Sequence, residues 1–297
     1  MGFITELFQH VMGFANDIMY YDFLQKALVT SIMVGIICGM IGSFIILRGM
    51  ALMGDAISHA VLPGVAISYM LGINYFYGAV LFGVLTAIGI GAIGQNSRIK
   101  NDSSIGIVFT AFFALGIILI GKAQTTIDLT QILFGNVLSV RTSDMMLTLI
   151  TGIIIVLFVV LFYKELLVST FDETMAQAYG LPTKLIHYGI MVLLTMATVA
   201  SLQTVGVVLV VAMLITPAAT AYLLTNHFWR MILLASFLGA LSAVIGLFIS
   251  FVYNLPSGAV IVLAATVLFV IAFLFSPKQG VVWSALRARK SRTAFQE

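Results

Sequence analysis

Charge is what this sequence has least of. Only 8% of its 297 residues are Asp, Glu, Lys or Arg, against a hydrophobic share of 61%. A soluble domain carries about 25% charged and about 45–50% apolar residues. Fourteen basic and eleven acidic side chains cannot cover a water-soluble particle of 32.1 kDa. That shortage excludes a cytoplasmic enzyme, a secreted disulfide scaffold and a disordered tail protein, and a mean hydropathy of +1.15 agrees. Cysteine is nearly missing too. Cys38 stands alone in an apolar run, so no internal disulfide can form. The first twenty residues hold no Lys or Arg, so the positive start of a cleavable signal peptide is absent. Their apolar residues (Phe3, Ile4, Leu7, Phe8, Val11, Met12 and Ile18) recur at helical spacing, which predicts an amphipathic helix lying on the membrane surface.

What is present is a series of lipid-length apolar runs. A span needs about 20 such residues, and nine stretches qualify: 27–47, 52–71, 75–95, 104–121, 145–163, 185–203, 205–224, 230–253 and 257–275. The expected fold is therefore all-α, a polytopic bundle of about nine spans, or eight if one fails. The sixth and seventh are separated by Thr204 alone, so they turn tightly or share one broken helix. The stretch 127–140 is too short to cross and reads as a surface or re-entrant helix. Residues 1–297 are expected to form one transmembrane domain, with 1–26 as the outer interfacial segment and 276–297 as a basic tail.

Sign orients the bundle. With the C-terminus in the cytoplasm, that side receives Arg48, Arg98, Lys100, Lys164, Lys184, Arg230, Lys278, Arg287, Arg289, Lys290 and Arg292. The other side receives Lys26, Lys122 and Arg141, a strong positive-inside bias. The net charge of +3 is thus a topology signal and not a nucleic-acid surface.

Two motifs imitate nucleotide sites. GIGAIG (89–94) matches a dinucleotide fingerprint, but it lies in an apolar run where that motif needs a strand–turn–helix setting. GIILIGK (116–122) approaches a phosphate loop but is followed by Ala123 in place of the Ser or Thr that reaches magnesium. Both read as helix packing, as do Gly35, Gly39 and Gly42. No nucleotide site of its own is expected.

One carboxylate falls inside an apolar segment: Asp55, in GMALMGDAISHAVLPG (49–64). An aspartate at the bilayer centre costs about 2.5–3.5 kcal/mol on insertion scales, and such residues line pathways. His59 follows at i+4, on the same helical face. Carboxylate oxygen with imidazole nitrogen suits a divalent first-row metal. Pro63 and Gly64 come one turn later and break or bend the helix, which membrane depth tolerates where backbone faces protein or water. The plainer alternative is a local Asp55–His59 pair capping a short helix. Further on, Pro217 in ITPAATA (215–221) marks a second break, read equally as a kink opening a passage or as packing. His10, His187 and His227 each stand alone in the sequence.

FDETMAQAYGLP (171–182) predicts a short exposed helix. Phe171 and Asp172 precede it, Glu173 starts it, Ala176 lies within it, Gly180 terminates it and Pro182 prevents its continuation. It suits a handle for a soluble partner, or a plain amphipathic loop helix.

LRGMALMGDAISHAVLPGVA (47–66), FDETMAQAYGLP (171–182) and TPAATA (216–221), in this order among this many spans, resemble the membrane permease of bacterial ABC importers for manganese, zinc or iron. The likeness is strongest to manganese permeases of Gram-positive bacteria and runs from about residue 24 to 280. It implies a multi-pass protein of the bacterial plasma membrane with a cytoplasmic C-terminus. It also implies two copies, two cytoplasmic ATPase subunits, an extracellular metal-binding lipoprotein and a transported divalent metal, manganese or alternatively zinc or iron. In this resemblance the helix at 173–179 is the coupling helix, and Asp55 and His59 meet the ion. The rival from the residues alone is a gradient-driven secondary transporter, which also uses midplane carboxylates and broken helices.

Overall fold

The computed structural model describes residues 12–14, 16–122 and 137–276. Every regular element among them is helical: α1 (Asp22–Leu47), α2 (Leu52–Ala60), α3 (Leu62–Leu71), α4 (Tyr75–Asn96), α5 (Asn101–Lys122), α6 (Thr142–Leu161), α7 (Tyr163–Phe171), α8 (Glu173–Ala178), α9 (Thr183–Val205), α10 (Val207–Leu224), α11 (Phe228–Tyr253) and α12 (Ser257–Phe275), with a 3-10 turn at Val137–Ser139. Eight of them are long and apolar enough to cross a membrane unbroken.

The expected span 52–71 is not one of those eight, because it is two helices. Pro63 has no N–H to give the carbonyl four residues back. Val61 nonetheless stays right-handed (φ −77°, ψ −13°), and the Val65 N–H donates to its carbonyl at 3.1 Å. The two pieces are therefore stacked end on end. Their direction follows from α4. A Cβ on Gly91 would meet the Tyr188 ring near the start of α9, one on Gly83 would meet Val61 and Ile57, and one on Gly78 would meet Gly64. So α4 runs antiparallel to α2–α3.

Two other boundaries differ from expectation. The turn between the sixth and seventh spans lies at Gly206 and not at Thr204. Gly206 takes φ +83°, which only glycine adopts without strain, and the chain reverses through that one residue. The expected span 145–163 stops at Leu161, and Phe162 (φ −103°, ψ 23°) passes the chain into α7, which the apolar pattern did not separate. The interfacial segment is described only in part. Phe14 packs edge-on against Phe248 with centroids 5.2 Å apart, so this portion docks on α11. Residues 1–11, most of 127–140 and the tail from 277 lie outside the described residues.

α1 is the central post, with 72% of its most apolar window buried, against 22% for α5. Lipid supplies no hydrophobic drive between helices, so close approach of small residues holds such a bundle. A Cβ on Gly35 would stand 2.5 Å from the Gly239 carbonyl carbon, and one on Gly39 2.5 Å from the Ala235 oxygen. One on Gly42 would overlap the Leu214 carbonyl. α1 is thus pressed backbone to backbone onto α11 and α10.

The two imitation motifs are resolved by the same logic. Gly89 and Gly91 sit within α4 facing Val108 and Tyr188, and Gly116 in α5 faces Leu62 and Pro63. Both are helix surface, with no phosphate loop.

Candidate metal pathway and coupling helix

α2 places Asp55 and His59 on one face. His59 Nε2 stands 3.6 Å from Asp55 Oδ1, beyond a hydrogen bond but within ion-pair reach. The Asp55 side chain is half exposed and that of His59 22% exposed. The His59 ring is backed by Phe113 and Phe109 of α5, at 5.5 and 5.8 Å between centroids. These aromatics pack against the imidazole, whose Nε2 is turned toward Asp55.

Asp55 and His59 line a cavity of about 360 Å³. Its far wall is α10: Val207, Val208, Val211, Ala212, Ile215 and Thr216. Positions 208, 211, 212, 215 and 216 follow helical spacing, so one stripe of α10 faces the carboxylate and imidazole. Gly54 lets α2 lie this near, since a Cβ there would come 2.9 Å from the Leu214 side chain. The sequence reading missed this stripe, although its period and the lone hydroxyl of Thr216 were the available signal.

Pro63, Gly64 and Pro217 stand behind the cavity and not among its lining residues. All three are buried. Pro63 faces Gly116, and Gly64 faces Gly78. α10 continues unbroken through Pro217 over Val207–Leu224, so the second expected break is absent. Pro217 cannot donate to the Met213 carbonyl, and the helix stays formed on either side of it.

Among the described residues no third His, Cys, Asp or Glu joins Asp55 and His59. One chain therefore offers a divalent ion an oxygen and a nitrogen from acidic and imidazole side chains.

The second site lies at the end of the bundle where α1 finishes. α8 spans Glu173–Ala178. Asp172 is its N-cap, its Oδ1 accepting from the Met175 N–H at 2.9 Å and from Thr174 Oγ1 at 2.6 Å. Those bonds, the Thr174 hydroxyl first, hold the exposed Asp172 carboxyl below its ordinary pKa. Gly180 closes the helix: its N–H donates to Gln177 and the Leu181 N–H to Ala176, and Pro182 follows. Ala176 is fully buried against the bundle, while Phe171, Met175 and Tyr179 are exposed. Phe171 also meets Phe228 of α11 edge-on at 5.8 Å.

His187 is not alone, as its place in the sequence suggested. Its Nδ1 lies 3.4 Å from Nη1 of Arg48, whose Nη2 and Nε donate to Ser169 and Thr170.

Residues 20–276 match the ABC 3 transport family. The chain belongs to that family. It is 65% identical over 276 residues to the manganese transport system membrane protein MntC of Listeria monocytogenes, covering 93% of this chain and 99% of that protein. It is 53% identical to the manganese import system permease protein ScaB of Streptococcus parasanguinis, across 91% and 96% of the two chains. In three dimensions it is similar to PsaBC from Streptococcus pneumoniae, solved in complex with a Fab, at a TM-score of 0.83 and 52% identity over 91% of this chain and 97% of that one. Membership in the ABC 3 family does not favour the gradient-driven alternative.

Proposed function

We propose that this chain is the membrane-spanning subunit of an ATP-driven importer of divalent transition-metal ions, with manganese as cargo and zinc or iron as alternatives. Two copies would line the passage, two ATPase subunits would dock on α8, and an extracellular metal-binding lipoprotein would deliver the ion. The chain acts as one permease domain of the plasma membrane. Arg48, Arg98, Lys100, Lys164, Lys184 and Arg230 all belong to the end of the bundle that carries α8, which supports a cytoplasmic α8 and a cytoplasmic C-terminus.

The observation that carries this reading is the Asp55–His59 pair on the wall of the cavity opposite α10. An ion leaving water loses hydration, and the carboxylate and imidazole replace part of it. Two ligands per copy leave coordination incomplete in one chain, which suits conduction because an ion must also leave. The second copy and retained water would complete it. Selectivity among manganese, iron and zinc is not written in an oxygen–nitrogen pair and falls largely to the delivering protein. ATP hydrolysis belongs to the partner: α8 and its flanks present Phe171, Met175 and Tyr179 outward as a docking handle, while buried Ala176 seats α8 on the permease.

Reconstituted with its ATPase, the complex is expected to take up manganese with ATP, and vanadate should stop it. Asp55→Ala and His59→Ala should each lower uptake at least about tenfold while the complex still assembles. Normal transport by both variants would sink the pathway assignment. Uptake driven by an ion gradient without ATP would sink the importer itself.

A further inference from the structure

Arg48 ties together parts of the chain that lie 121 to 139 residues apart. Its Nε donates to Thr170 Oγ1 at 3.1 Å and its Nη2 to Ser169 Oγ at 2.5 Å. A guanidinium only donates, so His187 Nδ1, 3.4 Å from Nη1, is the acceptor. Ser169 and Thr170 end α7 just before the Asp172 cap, and His187 lies in the second turn of α9, just after Pro182. The three partners therefore flank both ends of α8. Glu173, the first residue of α8, adds its carboxylate: burial pulls the Arg48 pKa below its ordinary value and Glu173 pushes it back. The guanidinium stays charged.

On its other side Arg48 adjoins a hydrogen-bonded turn. Gly49 sits at φ +66°, its N–H donating to Ile46 and the Met50 N–H to Ile45, which closes the end of α1. The Met53 N–H then donates to Met50 at 3.0 Å, and both methionines are buried. Two residues later stands Asp55. Hydrogen-bonded backbone thus leads from Arg48 directly into the helix that carries Asp55 and His59.

We propose that Arg48 is a positioning residue that carries displacement of the α8 helix through the Gly49 turn to Asp55 and His59, so that ATPase movement and ion passage stay in step. This rests on the importer reading above. Arginine is required because one planar fork reaches hydroxyls on α7 and a ring on α9 together. Lysine, a point charge with one head, cannot span them.

The test uses the full complex with its ATPase and binding protein in liposomes, reading manganese uptake and ATP hydrolysis in the same vesicles. Unsubstituted complex that fails to take up manganese with ATP would overturn the importer reading, whatever Arg48 does. Once that control transports, Arg48→Lys and the double variant Ser169→Ala/Thr170→Val should each keep hydrolysis within about twofold while manganese moved per ATP falls about tenfold. Combining them should cost little more than either alone, since both break one network. If Arg48→Lys does not assemble, the double variant, which keeps the charge, decides by the same ratio. An unchanged ratio, a parallel loss of hydrolysis and uptake, or failure of both variants to copurify with the ATPase would overturn the proposal.

Discussion

Asp172 shows what a single side chain does at the end of the bundle that carries α8. A helix of six residues is too short to hold itself, and its cap decides whether its first turn is formed. The Asp172 carboxyl is held below its ordinary pKa by the Thr174 hydroxyl and the Met175 amide, so the ionised form is favoured in the folded state. The cap's contribution is present above the ordinary carboxylate pKa, about 4, and fades as pH falls through the lowered folded value. Hydrogen exchange at the Met175 amide should quicken at acidic pH, beyond the intrinsic trend. Asp172→Asn retains a good cap and should remove that dependence, whereas Asp172→Ala should loosen the amide at every pH.

At the scale of elements, contact between helices depends on missing side chains. α1 lies on α10 at Gly42, where any Cβ overlaps the Leu214 carbonyl, and neither partner can yield without moving a buried helix. Gly42→Val is expected to destabilise by about 1–3 kcal/mol, the usual range for overpacking, read as a lower melting temperature of the purified permease. Gly206→Ala tests the reversal between α9 and α10. A residue with a Cβ at φ +83° costs about 1–3 kcal/mol, and the loss should appear in melting temperature with Asp55 and His59 untouched. A variant as stable as the parent in either case would contradict the geometry.

Across the whole molecule, access to water distinguishes the cavity from the core. The sole cysteine, Cys38, is fully buried, so the unsubstituted chain should not react with a polar maleimide. Val208 is 45% exposed on the cavity wall and Val210, two residues on, is buried. Val208→Cys should therefore label readily and Val210→Cys should not. Labelling of both, or of neither, would show that the stripe assignment of α10 is wrong.

The bundle was legible from periodicity and charge alone. Runs of apolar residues long enough for a bilayer, interrupted at charged loops, allow few structures other than helices, because lipid leaves the backbone no outside hydrogen-bond partner. The i,i+4 spacing likewise put Asp55 and His59 on one face without any coordinates, and FDETMAQAYGLP contained its own start and stop. Tertiary contact decided the rest. Pro63 stands in the first turn of α3 and Pro217 inside an unbroken α10, although both are buried prolines in apolar runs. Arg48 read as one more inside charge and His187 as a solitary ring. Only folding brought α1, α7 and α9 together around them, because a long-range polar network has no period and leaves no local trace in the chain.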